Sequence, residues 1–121
     1  MKVKIDTKEK MHVITVEEEV LHANMTEEIK NVLLNVLSTP VKNAIVNLKN
    51  VKQIDLPVAE AFVAAQQSFR EAAHSLVFCN IQAAVFDVLD KNDLIEVMNV
   101  TPTESEASDI VQMEEIEREL L

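Results

Sequence analysis

The sequence contains no glycine, although average usage would give about eight in a chain of this length. Phosphate-cradling P-loops, dinucleotide-binding fingerprints and the G-x-S-x-G nucleophile elbow all need glycine, either for tight turns or for close approach of the backbone to a ligand. The composition therefore excludes these nucleotide-binding and hydrolase motifs. Without glycine, we expect the turns to depend on asparagine, which tolerates a positive φ better than most residues.

Tryptophan and tyrosine are also absent, and acidic residues outnumber basic ones by 21 to 11. The resulting net charge of -10 repels phosphate backbones, and the four phenylalanines offer little surface on which bases could stack. These two features argue against a nucleic-acid partner.

Cysteine occurs once, and long hydrophobic runs do not occur. Cys79 ends the apolar segment 76–79 and has no basic neighbour to activate its thiol, so we interpret it as a small buried residue in a reducing compartment. The apolar runs are too short to span a bilayer, and the N-terminus shows no signal-peptide pattern. We therefore expect a cytoplasmic protein without membrane insertion, folded as a single domain over residues 1–121.

The apolar pattern predicts strands that alternate with helices. The predicted elements are a hairpin from Val3 to Val16, a helix from Asn24 to Thr39, a strand from Ala44 to Leu48, a helix from Asp55, a strand from Leu76 to Cys79, a helix from Ile81 to Leu89, a strand from Ile95 to Val97 and a final helix. Strand–helix alternation after the first hairpin implies parallel strands. We therefore expect an α/β fold, a mixed sheet with an initial antiparallel hairpin and then parallel strands, flanked by helices.

Polar residues at two predicted helix starts suggest specific caps. Asn24 followed by Glu27 resembles a capping box. In this motif the first side chain accepts from a backbone N–H of the first helical turn, and the glutamate side chain accepts from the backbone N–H of the first residue. Asp55 is expected to be the N-cap of the next helix. Pro57 suits the first turn of that helix, because N–H groups there have no intrahelical partner.

The C-terminal segment, about 102–121, is predicted to form an amphipathic helix with Thr101 as its N-cap. Its apolar stripe consists of Ile110, Met113, Ile116 and Leu120. Exposed apolar stripes tend to be covered, so we expect docking or self-association of this helix. The alternative is a protruding segment that seeks a partner.

The residues that could carry chemistry are scattered along the chain. The three histidines, His12, His22 and His74, lie far apart in sequence without metal-ligand spacing. Near a helix C-terminus, His74 is expected to make a favourable contact with the helix dipole. The consecutive acidic residues 17–19 do not share one face of a strand. We therefore predict no catalytic residue, no metal site and no cofactor.

Three stretches share their order and spacing with one known family. They are Val20–Asn24 leading into Thr26–Ile29, Ala44–Leu48 followed by Val51 and Ile54–Asp55, and Leu76–Ile81. With these stretches, the chain resembles the STAS domain family, the sulfate-transporter and anti-sigma-factor-antagonist fold, over nearly its whole length.

The most diagnostic motif of that family is altered in this chain. Family members of the anti-sigma-antagonist type carry Asp-Ser-Ser-Gly or Asp-Ser-Thr-Gly at a helix start, where a partner kinase phosphorylates the second hydroxyl. The same positions here read Asp55-Leu56-Pro57-Val58, so Pro57 offers no hydroxyl. The family's central strand often has an acidic residue where this chain has Asn47. The resemblance therefore implies a degenerate motif that is not phosphorylated at the usual position.

The resemblance implies a non-enzymatic module that binds a regulatory protein, either an anti-sigma factor or a serine kinase. An accessory subunit of a lipid or anion transport ATPase is the alternative, and a homodimer is left open. The expected partner-binding residues are Leu21, His22, Ala23, Asn24, Asp55, Leu56, Pro57 and Val58. The apolar turn at Leu56 to Val58 is expected to form the contact surface.

Overall fold

The computed structural model describes residues 1–120, which form seven strands and four helices. The strands are β1 (Val3–Thr7), β2 (His12–Val16), β3 (Val20–Leu21), β4 (Ala44–Asn47), β5 (Gln53–Ile54), β6 (Leu76–Cys79) and β7 (Val100–Thr101). The helices are α1 (Thr26–Asn35), α2 (Leu56–Glu71), α3 (Ala83–Lys91) and α4 (Glu104–Glu119). The predicted C-terminal helix is thus present over its described part, and residue 121 lies outside the described residues.

Five strands form one mixed sheet in the order β1-β2-β4-β6-β7. The β1–β2 hairpin is antiparallel, whereas β2, β4, β6 and β7 are parallel neighbours. The central strands β4 and β6 are buried at every position, as continuous apolar runs covered on both faces should be. The predicted mixed α/β sheet is confirmed.

The larger core lies between one face of the sheet and helices α1, α2 and α3. Phe62 of α2 packs on Phe78 of β6, with ring centroids 5.0 Å apart. Small side chains such as Ala59 and Ala65 of α2 are also buried in this core, which lets the helix lie close to the sheet. These contacts fix the position of α2 and therefore of the turn at its N-terminus.

Helix α4 packs on the opposite face of the sheet. Ala107 and Val111 contact a smaller cluster that includes Val77 and Cys79. Burial foremost, and the charge of Glu104 secondly, raise the pKa of the Cys79 thiol to about 12, so this thiol stays protonated and inert. The interpretation of Cys79 as a buried apolar residue is confirmed.

The predicted apolar stripe of α4 does not dock on the sheet, so self-association through it and contact with a partner both stay predictions. Met113, Ile116 and Leu120 point to solvent, and only Ile110 is partly buried against the smaller cluster. The physical reason is that the shorter side chains of Ala107 and Val111 let the helix approach the sheet more closely. Docking of α4 is therefore real, but it leaves the predicted stripe uncovered.

The structure also places the last strand and the N-cap of the last helix at other residues than predicted. Residues Ile95–Val97 form a 3₁₀ turn, and the strand β7 follows at Val100–Thr101. Thr101 pairs with Cys79 in the sheet, and its hydroxyl donates to the Thr103 carbonyl at 2.9 Å, so it does not cap α4. Thr103 is the N-cap instead, and its hydroxyl accepts from the Glu106 N–H at 3.2 Å.

The first helix starts differently from the predicted capping box. Asn24 lies within a 3₁₀ turn, Ala23–Met25, and makes no capping bond. Met25 occupies the N-cap position of α1 without a side-chain bond. The Thr26 hydroxyl instead donates to the Ala23 carbonyl at 2.6 Å, which stabilises the 3₁₀ turn and delays the start of the helix.

Among the described residues of this glycine-free chain, three adopt a left-handed conformation. They are Ala73, Asn80 and Asp93, with φ of 60, 54 and 58°. The expected use of asparagine is right at Asn80 and wrong at Ala73 and Asp93. At Ala73, the following His74 N–H closes the end of α2 by donating to the Phe69 carbonyl at 2.9 Å. A left-handed alanine costs about 1 kcal/mol, which this closure offsets.

Within residues 1–120, no helix has both the length and the apolar character needed to cross a membrane.

Candidate functional site

A second, two-stranded sheet brings the two predicted contact segments together. β3 pairs in parallel with β5, with Val20 opposite Gln53 and Leu21 opposite Ile54. Each strand has only two residues and lies in the loop that follows the carboxyl end of a long strand, β2 or β4. The pairing places the turn after Leu21 beside the turn at the start of α2.

Asp55 joins these two turns. Its carboxylate Oδ2 accepts from the Ala23 N–H at 2.7 Å, and its own N–H donates to the Leu21 carbonyl at 2.9 Å. Asp55 does occupy the N-cap position of α2, but its side chain makes no capping bond. Its backbone carbonyl accepts from the N–H groups of Val58 and Ala59 at 3.0 and 3.3 Å. The predicted side-chain cap is thus wrong, because the carboxylate is turned towards the neighbouring loop.

Six of the eight predicted contact residues are exposed, in two groups of three consecutive residues. They are His22, Ala23 and Asn24 in one turn, and Asp55, Leu56 and Pro57 in the other. Leu21 and Val58 are fully buried in the main core, so they support this surface from beneath and offer no contact area. We call the six exposed residues the turn surface. Leu56, 40% exposed, is its largest apolar side chain.

Two basic side chains precede Asp55 in the segment between β4 and α2, and the sequence prediction missed them. Lys52 is exposed and lies 3.4 Å from the Glu19 carboxylate. Lys49 is exposed in the loop after β4, and its carbonyl accepts from the Gln82 side chain at 2.6 Å. The signal was present in the sequence, since both lysines lie between the predicted strand and helix.

Asn47 holds the end of the central strand to the first turn of α4. The residue is only 3% exposed. Its Nδ2 donates to the Glu104 carboxylate at 3.1 Å, and its Oδ1 accepts from the Lys49 N–H at 3.0 Å. A carboxylate here would face that of Glu104, so the amide is matched to its neighbour on α4.

The histidines do not come together. His12, at the start of β2, contacts the Thr7 and Thr39 hydroxyls at 2.8 and 3.0 Å, whereas His22 belongs to the turn surface. His74 follows α2, where burial, foremost, and the positive charges of Arg118 and Lys42 lower its pKa. A lowered pKa reduces the share of the charged ring at a given pH, and the contact of His74 with the helix dipole stays a prediction.

Among the described residues, no group of three histidine, cysteine, aspartate or glutamate side chains is arranged to hold a metal ion. The first turn of α2 carries no hydroxyl, because its residues are Leu56, Pro57 and Val58. The turn surface therefore offers apolar, amide and imidazole groups with one carboxylate that is already hydrogen-bonded.

Solved structures with the same fold include several anti-sigma factor antagonists. Bacillus SpoIIAA in its unphosphorylated form is 18% identical and has a TM-score of 0.73, with 92% of this chain and 96% of that chain covered. An anti-sigma factor antagonist from Mycobacterium paratuberculosis is 12% identical, with a TM-score of 0.78 and coverage of 92% and 93%. At these identities the likeness shows a shared fold.

A membrane transporter also contains this fold. The murine Slc26a9 anion transporter is 17% identical and has a TM-score of 0.65, with 86% of this chain and 18% of that chain covered. A comparison with curated protein sequences gives no match. The family model of the STAS domain matches residues 2–107. The chain therefore belongs to the STAS domain family.

Proposed function

We propose that this protein is a non-enzymatic interaction module that binds a regulatory protein through the turn surface. The observation that carries the proposal is the pair of exposed apolar side chains, Leu56 and Pro57, at the rigid start of α2. Asp55 fixes this turn to the neighbouring one through the Ala23 N–H. A preorganised apolar surface loses little conformational entropy on binding.

The polar surroundings of Leu56 and Pro57 suit a protein contact. Protein interfaces commonly combine an apolar centre with a polar, solvent-accessible rim. His22 and Asn24 provide imidazole and amide groups in the turn that the β3–β5 pairing brings beside the apolar pair, and Lys52 with its partner Glu19 adds an ion pair in the adjoining loops. The proposed partner therefore presents an apolar side chain with polar neighbours.

The class of partner is proposed from the structural neighbours. SpoIIAA and the mycobacterial protein are anti-sigma factor antagonists, and SpoIIAA also has a phosphorylated form. An anti-sigma factor or a serine kinase is accordingly the proposed partner of this chain. Since Pro57 replaces the acceptor hydroxyl implied by the family resemblance, binding here would not be released by phosphorylation at that position.

Pro57→Asp should weaken binding of the partner at least about tenfold without unfolding the domain, because it places a charge in the apolar contact. Pro57 is exposed in the first turn of α2, where an acidic residue is favoured by the helix dipole. The measurement is the dissociation constant of the partner, identified by affinity capture from the native cytoplasm.

Ala64→Asp is the matched control, since Ala64 is exposed on the same helix two turns further on. This variant should bind like the unmodified chain. Equal affinities of the Pro57→Asp and Ala64→Asp variants would move the interface away from the turn surface. Turnover of a substrate that is lost on substitution of His22 or Asp55 would overturn the non-enzymatic assignment.

Incubation with the kinase-type partner and ATP should leave the intact mass of the chain unchanged. The reason is that the turn at Asp55 to Val58 has no hydroxyl to accept a phosphate. The Pro57→Ser variant, incubated in parallel, tests whether restoring a hydroxyl restores transfer. Stoichiometric phosphate on the unmodified chain, on Ser68 or on any other residue, would contradict the absence of a covalent switch.

An accessory subunit of a transport ATPase is the second candidate. The Slc26a9 anion transporter contains a region of the same fold, which favours this alternative. The contact surface would be the same, but the captured partner would be a transport ATPase. Genes for transporter components beside the coding gene would support this candidate, whereas genes for sigma factors or phosphatases would support the first one.

A further inference from the structure

Helix α4 presents an uncovered apolar stripe to solvent. Met113, Ile116 and Leu120 are 55%, 57% and 81% exposed, and they lie on one side of the helix at intervals of three and four residues. Leu120 follows directly on the last helical residue of α4. These are the three most exposed large apolar side chains among the described residues. Such a contiguous stripe marks a contact site.

The helix cannot roll to cover this stripe without losing a set of polar contacts on its inner side. The Ser75 hydroxyl donates to Glu114 at 2.6 Å, and the Asn43 amide donates to Glu115 at 2.8 Å. Arg118 donates to the Ser75 hydroxyl at 3.0 Å. Together with buried Ala107 and Val111, these bonds hold the inner face of α4 on the sheet.

Acidic side chains surround the stripe. Glu106, Asp109, Glu117 and Glu119 are all exposed on α4. A second copy of the chain would bring the same acidic groups against one another, and the net charge of -10 adds to this repulsion. An anionic membrane surface is disfavoured on the same ground. The charge pattern instead complements a basic partner.

We propose that the outer face of α4 binds a basic amphipathic helix of a partner protein. Apolar side chains of that helix would pack on Met113, Ile116 and Leu120, and its lysines or arginines would pair with the flanking carboxylates. This face lies on the opposite side of the sheet from α2, and most of it lies beyond residue 107, where the family match ends. It is therefore a second contact surface, separate from the turn surface.

The test uses a fluorescent peptide of about 16 residues, with leucines at helical spacing and lysines elsewhere. Anisotropy measures its binding to the full chain at low and moderate salt. The double variant Met113→Ser/Ile116→Ser should bind at least about tenfold more weakly. Affinity for the unmodified chain should fall with added salt, and a peptide with glutamate in place of lysine should not bind.

Ile5→Ser/Val97→Ser is the matched control, because both side chains are large, apolar and exposed away from α4. This variant, and Pro57→Asp at the turn surface, should bind the peptide like the unmodified chain. Equal binding by the α4 double variant would overturn the proposal, since the peptide would then be held by net charge alone. A dimer in sedimentation experiments that Met113→Ser/Ile116→Ser dissociates would also overturn it, in favour of a second copy.

Discussion

Asn47→Asp is expected to lower the free energy of unfolding by about 3 to 4 kcal/mol, although it changes a single amide to a carboxylate. The amide donates to Glu104 at 3.1 Å, and this donor is lost. Two carboxylates would then face each other, one at residue 47, which is almost completely buried, and the other on the partly buried Glu104. Guanidinium denaturation at neutral pH measures the loss.

The position of the charge, rather than the charge itself, is expected to cause this loss. Asn50→Asp makes the same chemical change at an exposed site of the adjoining loop, and it should stay within about 0.5 kcal/mol of the unmodified chain. Adding Glu104→Gln to Asn47→Asp should recover at least about 1 kcal/mol, because the new amide can donate to the carboxylate. Additive effects of the two substitutions would show that Glu104 does not sense residue 47.

The two central strands could be predicted from the sequence because a strand that is covered on both faces needs apolar side chains at nearly every position. Residues 44–47 and 76–79 are buried at every position, so nearly every residue had to be compatible with burial. The start of the helix after Asp55 could be placed as well, because proline within a helix is favourable only in the first turn, where Pro57 lies. These two facts place the Asp55–Pro57 half of the turn surface.

The details that the sequence did not reveal depend on contacts between distant residues. Asp55 looks like a cap in any local window, but its carboxylate is used by Ala23, 32 residues away. The strands β3 and β5 have two residues each, too few to show an alternating pattern. In both cases the deciding interaction is formed only after the loops meet.

The face of α4 that docks on the sheet could not be predicted, for a related reason. The helix has one set of apolar residues at positions 107 and 111 and another at 113, 116 and 120, and periodicity alone does not rank them. The polar partners of its inner side, Asn43 and Ser75, lie more than 30 residues earlier in the chain. These contacts turn the larger apolar set outwards, so the structure decides between the docked stripe and the exposed stripe that the sequence left open.

Gln66→Met is expected to lower the free energy of unfolding by about 3 kcal/mol, the other large effect. Gln66 is buried in α2, where its Nε2 donates to the Leu76 carbonyl and its Oε1 accepts from the Asn99 N–H, both at 3.0 Å. Methionine fills a similar volume but can replace neither bond. The loss is measured by guanidinium denaturation, and the local effect by hydrogen exchange of the Asn99 amide.

Gln67→Met is the matched control, because Gln67 is the next residue of α2 and is exposed. It should change the free energy of unfolding by less than about 0.5 kcal/mol. Hydrogen exchange of the Asn99 N–H should accelerate only in the Gln66 variant, because only there does this N–H lose its acceptor. The bond from the Phe78 N–H to the Asn99 carbonyl, at 2.8 Å, is kept in both variants. Equal stability of the two variants would mean that Gln66 fills space without fixing the start of β7, and the register of that edge strand would then depend on its pairing with β6 alone.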